Sequence, residues 1–506
     1  MISLSNFDNF DKSFLLYLGR INLFILASIL KIIFFNRIIY AFRIDCIVNL
    51  SIKFIFSMAV WLFLISAVPA KAGLIDSLRC QRDTSILYAL HVPEIVPDSK
   101  GLIYILDPAG RAMTAIQKFQ LIAENRGYFL VCSYSSFNST IRHNQEVFEI
   151  VMDDLSHRYQ YPQSQLLLAG FSGGSRAAFA IAENANNRVR GVIGCGSGLP
   201  PNTVIKRKLN FAYVGIIGEE DMNFYEMYDL NTRMEEIHTP SHFLYFQGGH
   251  SWPPVTYLRL AVLWFELQNM QSHQVKDSFF IEHYYERYLQ TLRNSNSLRE
   301  AEINIKSFDE FNRTFSSCRN MEEFIDSLSR FKAEPDIKKA VKKFLEARST
   351  FSDKQRSYLE LFRKISNYEY KPEVPEPDTW WISEIRFFNG LIKKKDPEYH
   401  LLGIRLRDFI WRMCAEQGSF SFQRGHFLSV IEFDKIWSIA QPESFHPHLR
   451  SATCYLQLDS HDRALTELKI AITKGFRNKN YVEEKFNKLG SNKRYQKILN
   501  QLSVNN

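Results

Sequence analysis

At 506 residues the chain exceeds what one ordinary core holds, and its 46% hydrophobic and 23% charged fractions exclude a disordered chain. The formal net charge is +8, and the first 72 residues, with seven Lys/Arg against three Asp, carry half of it. The remaining +4 is spread along the chain rather than clustered, which gives no case for nucleic acid as a partner.

Two apolar stretches come first. One, at 21–35, is interrupted by Lys31 and is short for a membrane span, which needs about 20 residues. The other, at 54–65, follows Lys53 and precedes the small-x-small site Ala70-x-Ala72. A basic flank, an apolar run and such a site describe a secretory signal peptide over 50–72. Its place deep in the chain points to a true start near Leu50, with the opening segment a gene-model extension. The competing expectation for 1–72 is a membrane anchor. Export predicts a secreted or periplasmic product beginning at or near Gly73. Of the seven cysteines, Cys46 would leave with the leader. Cys80, Cys132, Cys195, Cys318, Cys414 and Cys454 are far apart with no C-x-x-C spacing, so no metal site is expected, and pairing stays open.

From 85 to about 270, short apolar runs alternate with amphipathic stretches, which predicts a mainly parallel sheet covered by helices. Strands are expected at 85–92, 101–106, 128–133, 165–169, 189–194, 210–217 and 242–246. Helices are expected at 112–125, 146–158, 176–183 and 255–269. Continuously apolar strands fit burial on both faces. Three domains follow: a leader at 1–72, an α/β unit at 73–272 and a helical region at 273–506.

The strand at 165–169 runs into Gly170-Phe171-Ser172-Gly173-Gly174 and then a helix. Strand, G-x-S-x-G and helix together make a common pattern specific: the sharp turn lifts the Ser172 hydroxyl above the sheet edge. Gly170 and Gly174 leave room for that turn, and the Gly173 N–H faces the place where an oxyanion forms. Serine is a poor nucleophile without a base held by an acid. Gly218-Glu219-Glu220-Asp221 follows the strand at 210–217 and offers Asp221 in a Gly-x-x-Asp pattern, with Glu219 and Glu220 as fallbacks otherwise read as surface charges. His250 follows the last strand in Gly248-Gly249-His250-Ser251-Trp252-Pro253, whereas His242, His446 and His448 lack that setting. Ser172, Asp221 and His250 thus stand in the chain order of a hydrolase triad. A second oxyanion N–H is expected from Ala109 or Gly110 in Asp107-Pro108-Ala109-Gly110-Arg111. Arg111 is read as a salt-bridge partner or a contact for a substrate carboxylate.

On these four motifs, residues 85–270 resemble the α/β-hydrolase superfamily, nearest to its carboxylesterase, dienelactone hydrolase and poly(3-hydroxybutyrate) depolymerase-like members. The resemblance implies hydrolysis through an acyl-enzyme, without metal or organic cofactor, and does not fix the substrate; a carboxylic ester, small or polymeric, is the leading expectation. Where such proteins often carry His-Gly, this chain has Ala109-Gly110. No long insertion separates the strands at 189–194 and 210–217, where lids often sit, so an open site is expected. A serine peptidase or acyl-peptide hydrolase, and a non-catalytic binding protein using the helical tail, are the alternatives.

Beyond residue 275 the apolar spacing turns helical, as at 337–351 and 358–365. A Pro-rich break at 371–377 reads as a stiff linker or ordered loop. The segment 448–473, with Ala464, Leu468 and Ala471 on one helix face, resembles a tetratricopeptide repeat, and 471–499 resembles the portion that follows such repeats. This likeness, near 445–500, covers about one repeat; a protein partner through the helical tail is a separate expectation. A chain ending near residue 275 is expected to keep turnover on a small activated ester while losing stability or a partner.

Overall fold

The computed structural model describes residues 73–94, 100–159, 161–185, 187–275, 277–294, 299–367 and 377–504. The apolar stretches at 21–35 and 54–65, the Ala70-x-Ala72 site and the Pro-rich segment 371–376 lie outside them.

Chain order in the first half is β1 (Gly73–Arg79), β2 (Leu87–Val92), β3 (Gly101–Leu106), α1 (Ala112–Arg126), β4 (Tyr128–Ser133), α2 (Ile141–Arg158), β5 (Leu166–Phe171), α3 (Gly173–Asn184), β6 (Val189–Cys195), β7 (Ala212–Gly218), α4 (Phe224–Glu236), β8 (Ser241–Phe246) and α5 (Val255–Ser272). The strands form one eight-stranded sheet in the order β1-β2-β4-β3-β5-β6-β7-β8. β2 runs antiparallel to β1 and β4, and every pair from β4 to β8 is parallel. β3, β4 and β5 are buried along their whole length, as strands covered on both faces must be. This is the expected α/β-hydrolase sheet with flanking helices, followed by an all-α region.

Local signals set the boundaries. α1 ends at Gly127, whose left-handed φ of 76° lets its N–H reach Ala123 O at 2.7 Å. α2 begins at Thr140, whose hydroxyl accepts from the His143 N–H at 3.2 Å. Two elements were not anticipated. β1 is a half-exposed edge strand with no clean alternation to announce it. α4 follows the expected acid directly; its buried Phe224, Met227, Tyr228, Asn231 and Met234 recur at helical spacing and could have revealed it.

The helical region comprises α6 (Ser278–Asn294), α7 (Ala301–Phe315), α8 (Glu322–Ala333), α9 (Pro335–Ser366), α10 (Pro377–Ile392), α11 (Pro397–Gln423), α12 (Phe427–Ala440), α13 (His446–Gln457), α14 (His461–Thr473), α15 (Lys479–Lys485) and α16 (Lys493–Val504). The expected helices at 337–351 and 358–365 are one continuous helix, α9, opened by Pro335, which needs no N–H partner there. The apolar core does not stop at residue 272. Ile103, Ile193, Val214 and Leu244 of the sheet share one cluster with Leu263 of α5, Tyr284 and Tyr288 of α6, and Phe311 and Phe315 of α7. His242 is fully buried in this seam, stacked on Trp264 and bonded to Glu310 of α7 at 3.0 Å. No helix among the described residues is long and apolar enough to cross a membrane. The six cysteines from Cys80 to Cys454 form no disulfide.

Candidate active site

β5 lies between β3 and β6, with Gly170 level with Leu106 and Gly194. Ser172 follows at φ 52°, ψ −122°, a conformation that costs a non-glycine residue on the order of 1–3 kcal/mol. Two glycines make the turn possible. A Cβ on Gly170 would stand 2.2 Å from Gly174 O, and one on Gly174 would stand 2.1 Å from Leu106 O. The Ser172 N–H is held by Cys195 O at 2.8 Å, and its carbonyl accepts from Ser197 Oγ at 2.5 Å and Ser175 N at 3.0 Å. The strained residue is therefore tied on both sides.

The three residues expected to act together are brought together. His250 Nε2 is 2.9 Å from Ser172 Oγ, and His250 Nδ1 is 2.8 and 3.0 Å from the two Asp221 oxygens. Asp221 is fully buried, and its Oδ1 also accepts the Asn223 N–H at 2.8 Å. Asn223 in turn donates to Gly196 O at 2.8 Å, which joins the loops after β6 and β7. The Phe171 ring centroid lies 4.8 Å from that of His250 and 5.5 Å from that of Trp252, giving the imidazole an apolar wall. Asn223, Ser197 and Phe171 carried no signal in the sequence beyond their closeness to the motifs.

The loop after β3 departs from expectation. The Ala109 N–H donates to Asp107 Oδ1 at 2.9 Å, the Gly110 N–H to Asp107 O at 3.1 Å, and the Arg111 N–H to Asp107 Oδ1 at 3.3 Å. The two amides expected to form the oxyanion hole with Gly173 are thus already engaged. Asp107 is the organising group: it is buried, and also takes Trp252 Nε1 at 3.0 Å and both Arg111 Nε and Nη2, at 3.0 and 3.1 Å. Burial alone would raise its pKa. The hydrogen bonds from Arg111, Trp252 and Ala109 outweigh that and hold it below the ordinary carboxylate range. Arg111 is therefore a salt-bridge partner of Asp107.

The acid loop is also not as expected. Glu219 is buried rather than a surface charge, and Arg299 reaches it through its backbone N–H at 3.1 Å and Nε at 2.8 Å. Glu220 takes Arg299 Nη2 at 2.5 Å. Fully buried Arg405 of α11 donates Nε to Glu219 O at 2.8 Å and binds the Glu300 carboxylate at 3.0 and 2.6 Å. Its guanidinium lies 3.6 Å from the Phe224 ring centroid, at the start of α4. The loop carrying Asp221 is thus fastened from outside the α/β unit.

α11 continues past the site. Burial raises the pKa of Asp408, Arg412 opposes this, and Asp221 adds to it. One helix turn beyond Arg412, the Glu416 side chain meets solvent, yet surrounding protein raises its pKa and the Arg176 charge opposes this. The loop between β6 and β7 meets the site through Ser197, whose Oγ donates to Ser172 O, and through Gly196 O, which accepts from Asn223. No group of three or more His, Cys, Asp or Glu that could hold a metal occurs among the described residues.

No family model matches the chain, and no characterised sequence matches it. Solved structures similar in fold include S-formylglutathione hydrolase FrmB from Staphylococcus aureus, at 13% identity over 39% of this chain and 98% of that one, with a TM-score of 0.32. Esterase B from Lactobacillus rhamnosis is 12% identical over 43% of this chain and 96% of that one, with a TM-score of 0.33. Est1E from Butyrivibrio proteoclasticus is 12% identical over 40% and 100%, with a TM-score of 0.30. At these values the likeness says nothing about substrate.

Proposed function

We propose that the chain is a serine hydrolase that cleaves a carboxylic ester through an acyl-enzyme. The observation that carries this reading is the unbroken hydrogen-bond chain from Ser172 Oγ through both His250 nitrogens to buried Asp221, set on a strained strand-to-helix turn. Ser172 Oγ bonds to the ester carbonyl carbon while its proton passes to His250 Nε2, and the carbonyl π pair becomes an oxyanion. Asp221 holds Nδ1–H and stabilises the imidazolium. The oxyanion then collapses, and the alkoxide leaves as an alcohol with the proton from Nε2. A water repeats the sequence on the acyl-enzyme and frees the acid.

The test is fluorophosphonate labelling and an ester panel on the purified protein. The wild-type chain is expected to label at Ser172, while Ser172→Ala keeps its fold and loses both labelling and turnover, by ~10⁶ in a comparable serine hydrolase. Unchanged turnover in a clean Ser172→Ala preparation sinks the assignment.

A further inference from the structure

We propose that the Asn138 side-chain amide is the second oxyanion donor, acting with the Gly173 N–H; this rests on the ester-hydrolase reading above. The loop after β3 has its amides at 109, 110 and 111 turned to Asp107. A donor therefore has to come from elsewhere, and the neighbouring loop after β4 supplies one.

Asn138 is at the right place. Its backbone N–H donates to Pro108 O at 2.8 Å, which stitches its loop to the loop after β3. Nearby bonds brace that loop: Asn144 Nδ2 to Phe137 O at 3.0 Å, and His143 Nε2 with Ser135 O at 2.9 Å. The side chain then extends to the first residue of α3. A Cβ on Gly173 would stand 1.8 Å from Asn138 Oδ1, 2.8 Å from its Cγ and 3.4 Å from Nδ2. In a helix the Cα–Cβ direction leans toward the N-terminus, the same way the first N–H groups point. The amide thus occupies the space that glycine leaves open beside the Gly173 N–H, next to Ser172. Among the described residues, this amide has no hydrogen-bond partner and is exposed. A half-turn about Cβ–Cγ exchanges Oδ1 and Nδ2 without changing its shape, so the donor can face the oxyanion as it forms. Backbone bonds hold the loop, so the side chain is not needed for the fold.

The experiment compares full-length wild type, Asn138→Ala, isosteric Asn138→Asp and Ser172→Ala on p-nitrophenyl acetate and butyrate. Loss of one oxyanion donor lowers kcat by about 10²–10³-fold. Asn138→Ala is expected to show that loss with KM within about threefold and an unchanged circular dichroism spectrum. Asn138→Asp keeps the shape, lacks the donor and places a negative charge beside the oxyanion, so it should fall at least as far. Binding of a trifluoromethyl ketone, which mimics the tetrahedral state, should weaken in parallel with kcat/KM, a change a merely structural role would not track. An Asn138→Ala or Asn138→Asp enzyme with kcat within about twofold of wild type, beside an inactive Ser172→Ala, overturns this inference and leaves the triad standing. Turnover surviving in Ser172→Ala overturns the reading beneath it.

Discussion

At the scale of single residues, the turn at Ser172 works by subtraction: atoms are missing where a Cβ would collide. At Gly174 the obstacle is the backbone carbonyl of Leu106, which cannot swing aside as a side chain can. Gly174→Ala must therefore push α3 away from β3. It is expected to lower the unfolding free energy by about 1–3 kcal/mol, the usual cost of overpacking. Because the displaced helix carries the Gly173 N–H, kcat should fall further than this stability loss explains. Chemical denaturation and kcat on one ester, measured side by side, check this, and an Ala variant equal to wild type in both would refute it. Gly173 is different. Its missing Cβ makes room for a flexible side chain, that of Asn138.

At the scale of elements, α11 holds the acid loop. Arg405 sits with no solvent exposure between the Glu219 carbonyl and the Glu300 carboxylate. Burial pushes the Glu300 pKa up, and Arg405 opposes it. Removing one partner of such a pair leaves the other charge buried alone, which costs about 3–5 kcal/mol. Arg405→Ala is therefore expected to lower stability by about that amount and to reduce kcat, since Asp221 is two residues from Glu219. The double variant Arg405→Met/Glu300→Leu should regain most of the stability, because an apolar pair of similar volume needs no compensating charge. It should not regain full kcat, as the Glu219 carbonyl would still lack its donor. Denaturation midpoints and kcat for the three proteins separate these outcomes.

At the scale of the whole molecule, the change from alternating strands and helices to helices alone falls near residue 272, but the core runs across it. Tyr284, Tyr288, Phe311 and Phe315 complete the sheet face that α1 and α5 begin to cover. Glu310 meets buried His242, and Arg299 meets buried Glu219. A chain ending near residue 275 would bare this apolar face and leave Glu219 without its cations. Large exposed apolar patches favour association over a monomeric fold. Such a chain is expected to aggregate or to lack fixed tertiary structure, and to have no turnover on any activated ester for which the full chain proves active. Near-UV circular dichroism, size exclusion and an ester assay test this. A monomeric, active truncated chain would show that the helical region only decorates the α/β unit.

What the sequence determined by itself was everything that depends on near neighbours. The strands at 101–106 and 128–133 were legible to the residue, because a continuously apolar run between turn residues has one good use in a covered sheet. Glycine spacing around Ser172, and the acid and histidine following strands in order, made the three-residue chain legible as well. The rest depended on partners distant along the chain. Sequence left three acids for one role; in the folded protein Asp221 meets His250, while Glu219 and Glu220 meet Arg299, about 80 positions away. Nothing local marks Arg405 as the residue that reaches the Glu219 carbonyl from 186 positions further on. Nor could it show that Asp107 would draw the amides of 109–111 to itself, since a loop amide finds its acceptor only once the loop has a shape. Apolar period and glycine placement are properties of a segment; which charges end up buried together is a property of the packed whole.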